Sequence, residues 1–407
     1  HEVNIKILTG MVERAGALTR PERDKLLRSM VDEVAAHVLE HNYDQTQALS
    51  LLEMDAVGEL EPHARFMARL EAVGRLDRAV EGLPDAAEIA ERQKAGRGMT
   101  RPELAVLLAY GKIQLFREMV ETDVPDDPWF EQVLEGYFPG PLMRFAPEMR
   151  RHRLRREIIA TVVANDVVNR CGPSFPGRLM ASAGCGAEAF FVGYEAARAV
   201  LQLAPLWEAV EALDNVVPAQ AQLLLLRRLA GNLRGMTFWL ARRAAREGAQ
   251  VSPLIARYAK PVQAIRNLVP DILTEVERAE LDRQATALIE AGAPADLARQ
   301  VVGLQPLTIA ADVADLAEGS RWPVESVARL YHQVGAAFAF DRLRAAAGGH
   351  SAGDAFERAA VRRLVEDLLT EQTAVTRAVL KQARGPKAAE DVVSARAVVA
   401  AFAERMG

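Results

Sequence analysis

MRRHRLRREIIATVVANDVVNRCG, residues 149–172, decides the fold, because its apolar residues do not keep to one face. On a helical period Ile158, Ile159, Val162, Val163, Val167 and Val168 surround the axis, the pattern of a helix enclosed on most sides. A polar ridge crosses that surface at i, i+4 spacing: Glu157, Thr161, Asn165 and Asn169, with Asp166 and Arg170 on the opposite flank. Polar groups removed from water need partners, so the ridge predicts a helix tightly mated to its neighbours. Its members read as a hydrogen-bonded network that locks helix register; the functional alternative is a polar pocket at Asn165, Asp166 and Asn169.

Working outward, helical periodicity dominates and strand-like alternation is nearly absent. Leu104, Leu107, Leu108, Gly111 and Leu115 make one stripe and Val106, Tyr110 and Ile113 a second, so both faces of this helix are expected to be covered. Thr-Arg-Pro-Glu occurs at residues 19–22 and again at 100–103, each time before an apolar-periodic run. Threonine followed by glutamate three residues later is a capping box, and proline in a first turn loses no intrahelical bond, so the tetrapeptide reads as a reused helix start. Residues 121–148 break the pattern with Pro125, Pro128, Pro139, Pro141 and Pro147 among Trp129, Phe130, Tyr137, Phe138 and Phe145, which predicts an irregular segment packed onto the body. From Ala187 onward helix succeeds helix, with breaks expected near Pro205, Pro218, Gly248, Pro270, Pro306, Gly348 and Gly385. The reading is an all-α protein, a multi-helix array or bundle, divided softly into residues 1–186 and a C-terminal bundle at 187–407.

Half of the 407 residues are apolar, enough for a large core without disulfides. The two cysteines, Cys171 and Cys185, form no CxxC pair and read as reduced cytosolic thiols. Fifty basic against 55 acidic residues leave a charge of −5, which argues against a polyanion-binding role, so no nucleic-acid partner is expected. No apolar run approaches the ~18 residues of a membrane span and no charged-then-apolar leader opens the chain, so the expectation is a soluble cytoplasmic protein with no membrane partner. A first residue of histidine rather than methionine suggests a piece of something longer.

Several stretches carry a family likeness. HRLRREIIATVVANDVVNR (152–170), GMTRPELAVLLAYGKI (98–113), FPGPLMRF (138–145), NYDQTQALSL (42–51) and WEAVEALDNVVPAQAQLLLLRRL (207–229) resemble the C-terminal region of the large bacterial NAD-specific glutamate dehydrogenases. HEVNIKIL (1–8) resembles the segment directly after the dinucleotide-binding domain of that family. The resemblance implies a parent enzyme that oxidises L-glutamate with NAD to 2-oxoglutarate and ammonia, assembled as a homo-oligomer, a tetramer in the family. It also implies that the nicotinamide site, the lysine and the carboxylate base lie before HEVNIKIL, so no catalytic or cofactor-binding residue is expected in this chain and NAD belongs to the parent. The chain's implied role is to brace the preceding catalytic domain of the same polypeptide and to support oligomerisation or regulation. By the same resemblance the opening helix, with Glu2, Asn4 and Lys6, packs near the cofactor cleft; on the residues alone it is plain helix packing.

Other motifs stand beside that reading. His37, Glu40 and His41 spell H-x-x-E-H, a zinc-peptidase string that would set His37 and His41 on one helix face with Glu40 as base. His1, His63, His152, His332 and His350 add no supporting motif, and the bland reading is an exposed helix end with no metal. The arginine-rich run 149–156 reads as ion pairs or a subunit contact; the alternative is an effector site in which Arg151, Arg153, Arg155 or Arg156 grips an anionic amino acid or nucleotide. Lys112, on an otherwise apolar helix, is a snorkelling lysine or a second interface or effector candidate. GCGAEAF (184–190) lacks the third glycine and the preceding strand of a dinucleotide loop and is discarded.

Overall fold

In the computed structural model, residues 1–349, 355–383 and 385–406 are described; His350 lies outside them. They are helical throughout, with no strand among them. The chain divides into two compact units, His1–Tyr194 with Leu240–Ser252, and Glu195–Trp239 with Pro253–Gly407.

The first unit is organised around the helix Arg155–Cys171, which packs on Arg101–Val120, Val31–Met54, the short helix Glu131–Tyr137 and the 3-10 turn Val124–Asp126. Its Ile158, Ile159, Val163, Val167 and Val168 are buried, while Val162, the sixth of the encircling set, is half-buried. Both Thr-Arg-Pro-Glu repeats form capping boxes that start helices, Arg20–Ser29 and Arg101–Val120. The irregular segment becomes 3-10 turns and short helices that bury Phe130, Phe138 and Phe145. On Arg101–Val120 the first stripe is buried, but the second is only partly covered: Val106 and Tyr110 are half-buried and Ile113 is exposed.

The second unit centres on Val324–Ala337, whose residues 326–328 and 330–335 are all buried. Around it pack Ala310–Ser320, Ala355–Gln382 and Val392–Met406. Gly335 permits one close approach, since a Cβ there would stand 2.9 Å from Nε2 of Gln372. The break expected near Pro270 falls at residues 273–274, just after Val251–Ile272, a helix that runs through Pro261 and holds Pro270 in its last turn. Buried Leu254, Tyr258, Val262, Ile265 and Val269 line one face of this helix, and that tertiary burial outweighs the lost backbone bonds. The break expected near Pro205 falls at residues 201–202, and Pro205 sits in the first turn of the following helix Leu203–Glu211, where proline is tolerated.

Candidate functional site

In the first unit three helices bring a set of charges together. Asp44 comes from Val31–Met54, Lys112 from Arg101–Val120, and Asp166 with Arg170 from Arg155–Cys171. Arg170 Nε donates to Asp166 Oδ1 at 2.6 Å, and the Tyr194 hydroxyl donates to Asp166 Oδ2 at 2.7 Å. Burial pushes the Asp44 carboxyl above its ordinary value, opposed by Arg170 and His41 and reinforced by Glu40 and Asp166. Burial also brings Lys112 down to about 8, with Asp44 pulling the other way. Lys112 is half-buried, the exposure expected of a lysine whose stem packs along its helix. Because the folded state disfavours the charged ammonium, the penalty is full below about pH 8 and is relieved as pH rises from there towards 10.5. Lys112→Met is expected to raise Tm at neutral pH and to abolish that alkaline gain, which calorimetry across the window would record.

A second group of contacts ties the first 52 residues to the chain beyond residue 96. Asn4 Nδ2 donates to the Tyr137 hydroxyl at 2.9 Å, and the Asn4 carbonyl lies 3.2 Å from His152 Nε2. Leu154 N donates to His152 Nδ1 at 3.1 Å, so Nδ1 is the acceptor and Nε2–H faces Asn4. Burial lowers the His152 pKa, which favours this neutral form. The amide of Gly140 donates to Glu33 Oε1 at 2.6 Å. Arg101 pairs with Glu53 and donates to Ser50 Oγ at 3.2 Å and the Thr46 carbonyl at 3.1 Å. The His1 ring stacks on Tyr137 at 4.4 Å. Glu2 and Lys6 pair with each other on the surface. On the outer side of Val31–Met54, Val31, Ala35, Val38 and Leu39 keep i, i+4, i+7, i+8 spacing and are all exposed, Leu39 by 67%.

The arginine run is occupied from within. Arg155 and Arg156 converge on Asp126, and Arg156 Nη2 also donates to the carbonyls of Val120 at 3.0 Å and Thr122 at 2.7 Å. Arg150 pairs with Glu131 and Glu135, and the exposed Arg151 with Glu148; Arg153 is exposed. The polar ridge is less enclosed than its pattern suggests. Thr161 is exposed and bonds only back to the Glu157 carbonyl, while Glu157, Asn165 and Asn169 are half-buried. On the other flank Asp166 and Arg170 join a side-chain network with Tyr194. His37, Glu40 and His41 do not sit at a helix end: Val31–Met54 continues well past them. His1 adds a ring 5.4 Å from His37 and 5.0 Å from His41, yet among the described residues no group of His, Cys, Asp and Glu comes together that could hold a metal ion. The zinc-peptidase string therefore lacks its third ligand. Cys171 is buried and Cys185 half-buried, and no disulfide joins them.

Sequence reasoning missed the Asn4–Tyr137 and Asn4–His152 contacts, which span 133 and 148 residues and leave no local signal. It also missed Glu277, His332 and Arg344 in the second unit. A Thr-x-x-Glu box at residues 274–277 marks that helix start, but nothing in its spacing names the partners.

The family model for the C-terminal part of glutamate dehydrogenase matches residues 96–404. The chain belongs to this family. Residues 1–52, the segment bearing Asn4, Glu33, Asp44 and Ser50, match the model for the catalytic domain of bacterial NAD-glutamate dehydrogenase. The NAD-specific glutamate dehydrogenase of Halomonas elongata is 37% identical over 388 residues, covering 95% of this chain and 24% of that protein. Its counterpart in Pseudomonas aeruginosa is 36% identical with the same 24% share, and that of Mycobacterium tuberculosis 35% identical over 302 residues. The chain thus spans about a quarter of the length of the first two glutamate dehydrogenases. No helix among the described residues is long and apolar enough to cross a membrane.

Proposed function

We propose that this chain is the C-terminal helical part of a bacterial NAD-dependent glutamate dehydrogenase, and that it braces the catalytic domain rather than performing hydride transfer. The parent reaction takes L-glutamate, NAD and water to 2-oxoglutarate, ammonia and NADH. One observation carries the proposal: the segment matching the catalytic-domain family is seated on the C-terminal-family helices through Asn4–Tyr137, Asn4–His152, Glu33–Gly140, Arg101–Ser50 and Arg101–Thr46. These contacts give the end of a catalytic domain a fixed platform, and fixed geometry is what orients reacting groups. The exposed Val31, Val38 and Leu39 supply an apolar face for the rest of that domain, whose docking removes it from water. Support of the oligomer and regulation belong to the same reading. Glutamate-dependent NADH formation by this chain alone is expected to stay at background while its circular dichroism remains helical; sustained turnover from the folded chain would refute the division of labour.

A further inference from the structure

The second unit holds a cavity of about 460 Å³ between the helices Ala219–Glu247, Glu275–Glu290 and Ala295–Val302. Among the described residues its lining includes three arginines and no carboxylate. Arg227, Gly231 and Arg234 stand at i, i+4 and i+7, so they share a helix face with the glycine between the two cations. Neighbouring Arg228 donates to Gln284 Oε1 at 3.0 Å, and Gln284 in turn donates to Glu280, a carboxylate outside the lining that also acts on Arg228. The opposite wall is apolar, with buried Leu288 and Val301.

Gly231 sits inside a 29-residue helix, where glycine costs about 1 kcal/mol relative to alanine. No close packing requires it: a Cβ built there meets no heavy atom within 4 Å. What the glycine preserves is open space on the helix face that carries Arg227 and Arg234. Each guanidinium carries five donors in a rigid fork, so an arginine that already holds one protein partner keeps donors for another oxyanion.

We propose that this cavity binds a small organic dianion, a dicarboxylate or a phosphomonoester, with Arg227 and Arg234 gripping its oxyanions across Gly231 and the apolar wall receiving its carbon body. The site is separate from the arginine run at 149–156 and from the platform for the catalytic domain, and neither of those roles requires it.

Calorimetric titration of the protein with glutarate, AMP and inorganic phosphate, at ionic strength held constant with sodium chloride, tests it. Saturable binding of glutarate assigns a dicarboxylate, and of AMP a phosphomonoester. In either case Gly231→Leu and Arg234→Gln are each expected to weaken Kd at least tenfold. Leucine is the better helix former and its Cβ meets nothing, so Gly231→Leu should hold the Tm of the unliganded protein at or above its starting value. The proposal is overturned by silence from both organic dianions, by a response to inorganic phosphate alone, or by unchanged affinity in the two variants.

Discussion

Glu277→Ala is expected to lower the stability of the second unit by about 3–5 kcal/mol, the scale for removing one partner of a buried ion pair. The Glu277 carboxylate receives the Thr274 amide at 3.1 Å, faces His332 Nδ1 at 2.8 Å and accepts from Arg344 Nη2 at 3.2 Å. Arg344 in turn donates to Gln372, whose Nε2 donates to the Tyr331 carbonyl at 2.8 Å on the unit's central helix. His332 is only 3% exposed and Arg344 18%, so the substitution strands both where water cannot easily replace the lost carboxylate. Calorimetry should show Tm falling by on the order of 10 °C.

The same residue sets an acid limit. Burial alone would raise the Glu277 pKa; the charge and hydrogen bond of His332, the Thr274 amide and Arg344 outweigh it and hold the carboxyl at about 2, against 4.5 for an ordinary glutamate. A depressed folded-state value means that between these two pH values the unfolded chain takes up the proton and the folded chain does not. The contribution is therefore complete above about 4.5 and is lost as pH falls through about 2. Removing the carboxylate should flatten that part of the profile. A variant that melts within about 1 kcal/mol of the parent, with an unaltered acid limb, would show that the network does not hold the unit together.

Gly111→Val should destabilise the first unit by about 2–3 kcal/mol through overpacking. A Cβ at Gly111 would lie 2.7 Å from Cβ of Pro173, 3.0 Å from its Cα and 3.4 Å from Val168 Cγ1. Pro173 has no flexible end to swing away, so the Arg101–Val120 helix must be displaced from the neighbouring Arg155–Cys171 helix. Denaturant unfolding would register the loss as a lower midpoint with unchanged slope. Gly136, where a Cβ meets nothing, is the control: alanine there should leave the midpoint within about 0.5 kcal/mol of the parent.

These two sites mark what the sequence makes legible and what it hides. Gly111 appears in the apolar stripe of its own helix, and the encircling valines of residues 158–168 announce a buried partner, because both are local periodicities. Capping boxes at Thr19 and Thr100 are equally local and equally readable. Glu277 carries a local signal only for its cap; its partners His332 and Arg344 arrive from 55 and 67 residues away. The exposure of Thr161 and the helix that continues through Pro261 have the same cause. Which edge meets water, and whether burial compensates a missing backbone bond, are settled by tertiary packing rather than by the pattern of one segment.

The most direct measurement is turnover by a full-length enzyme of this family carrying Arg101→Ala and His152→Ala together, which cut the ties to Thr46, Ser50 and Asn4 while leaving the catalytic residues of the preceding domains untouched. The account predicts at least a tenfold fall in kcat, with NAD still bound and helical content unchanged. Full kcat in that double variant, at unchanged Tm, would contradict it.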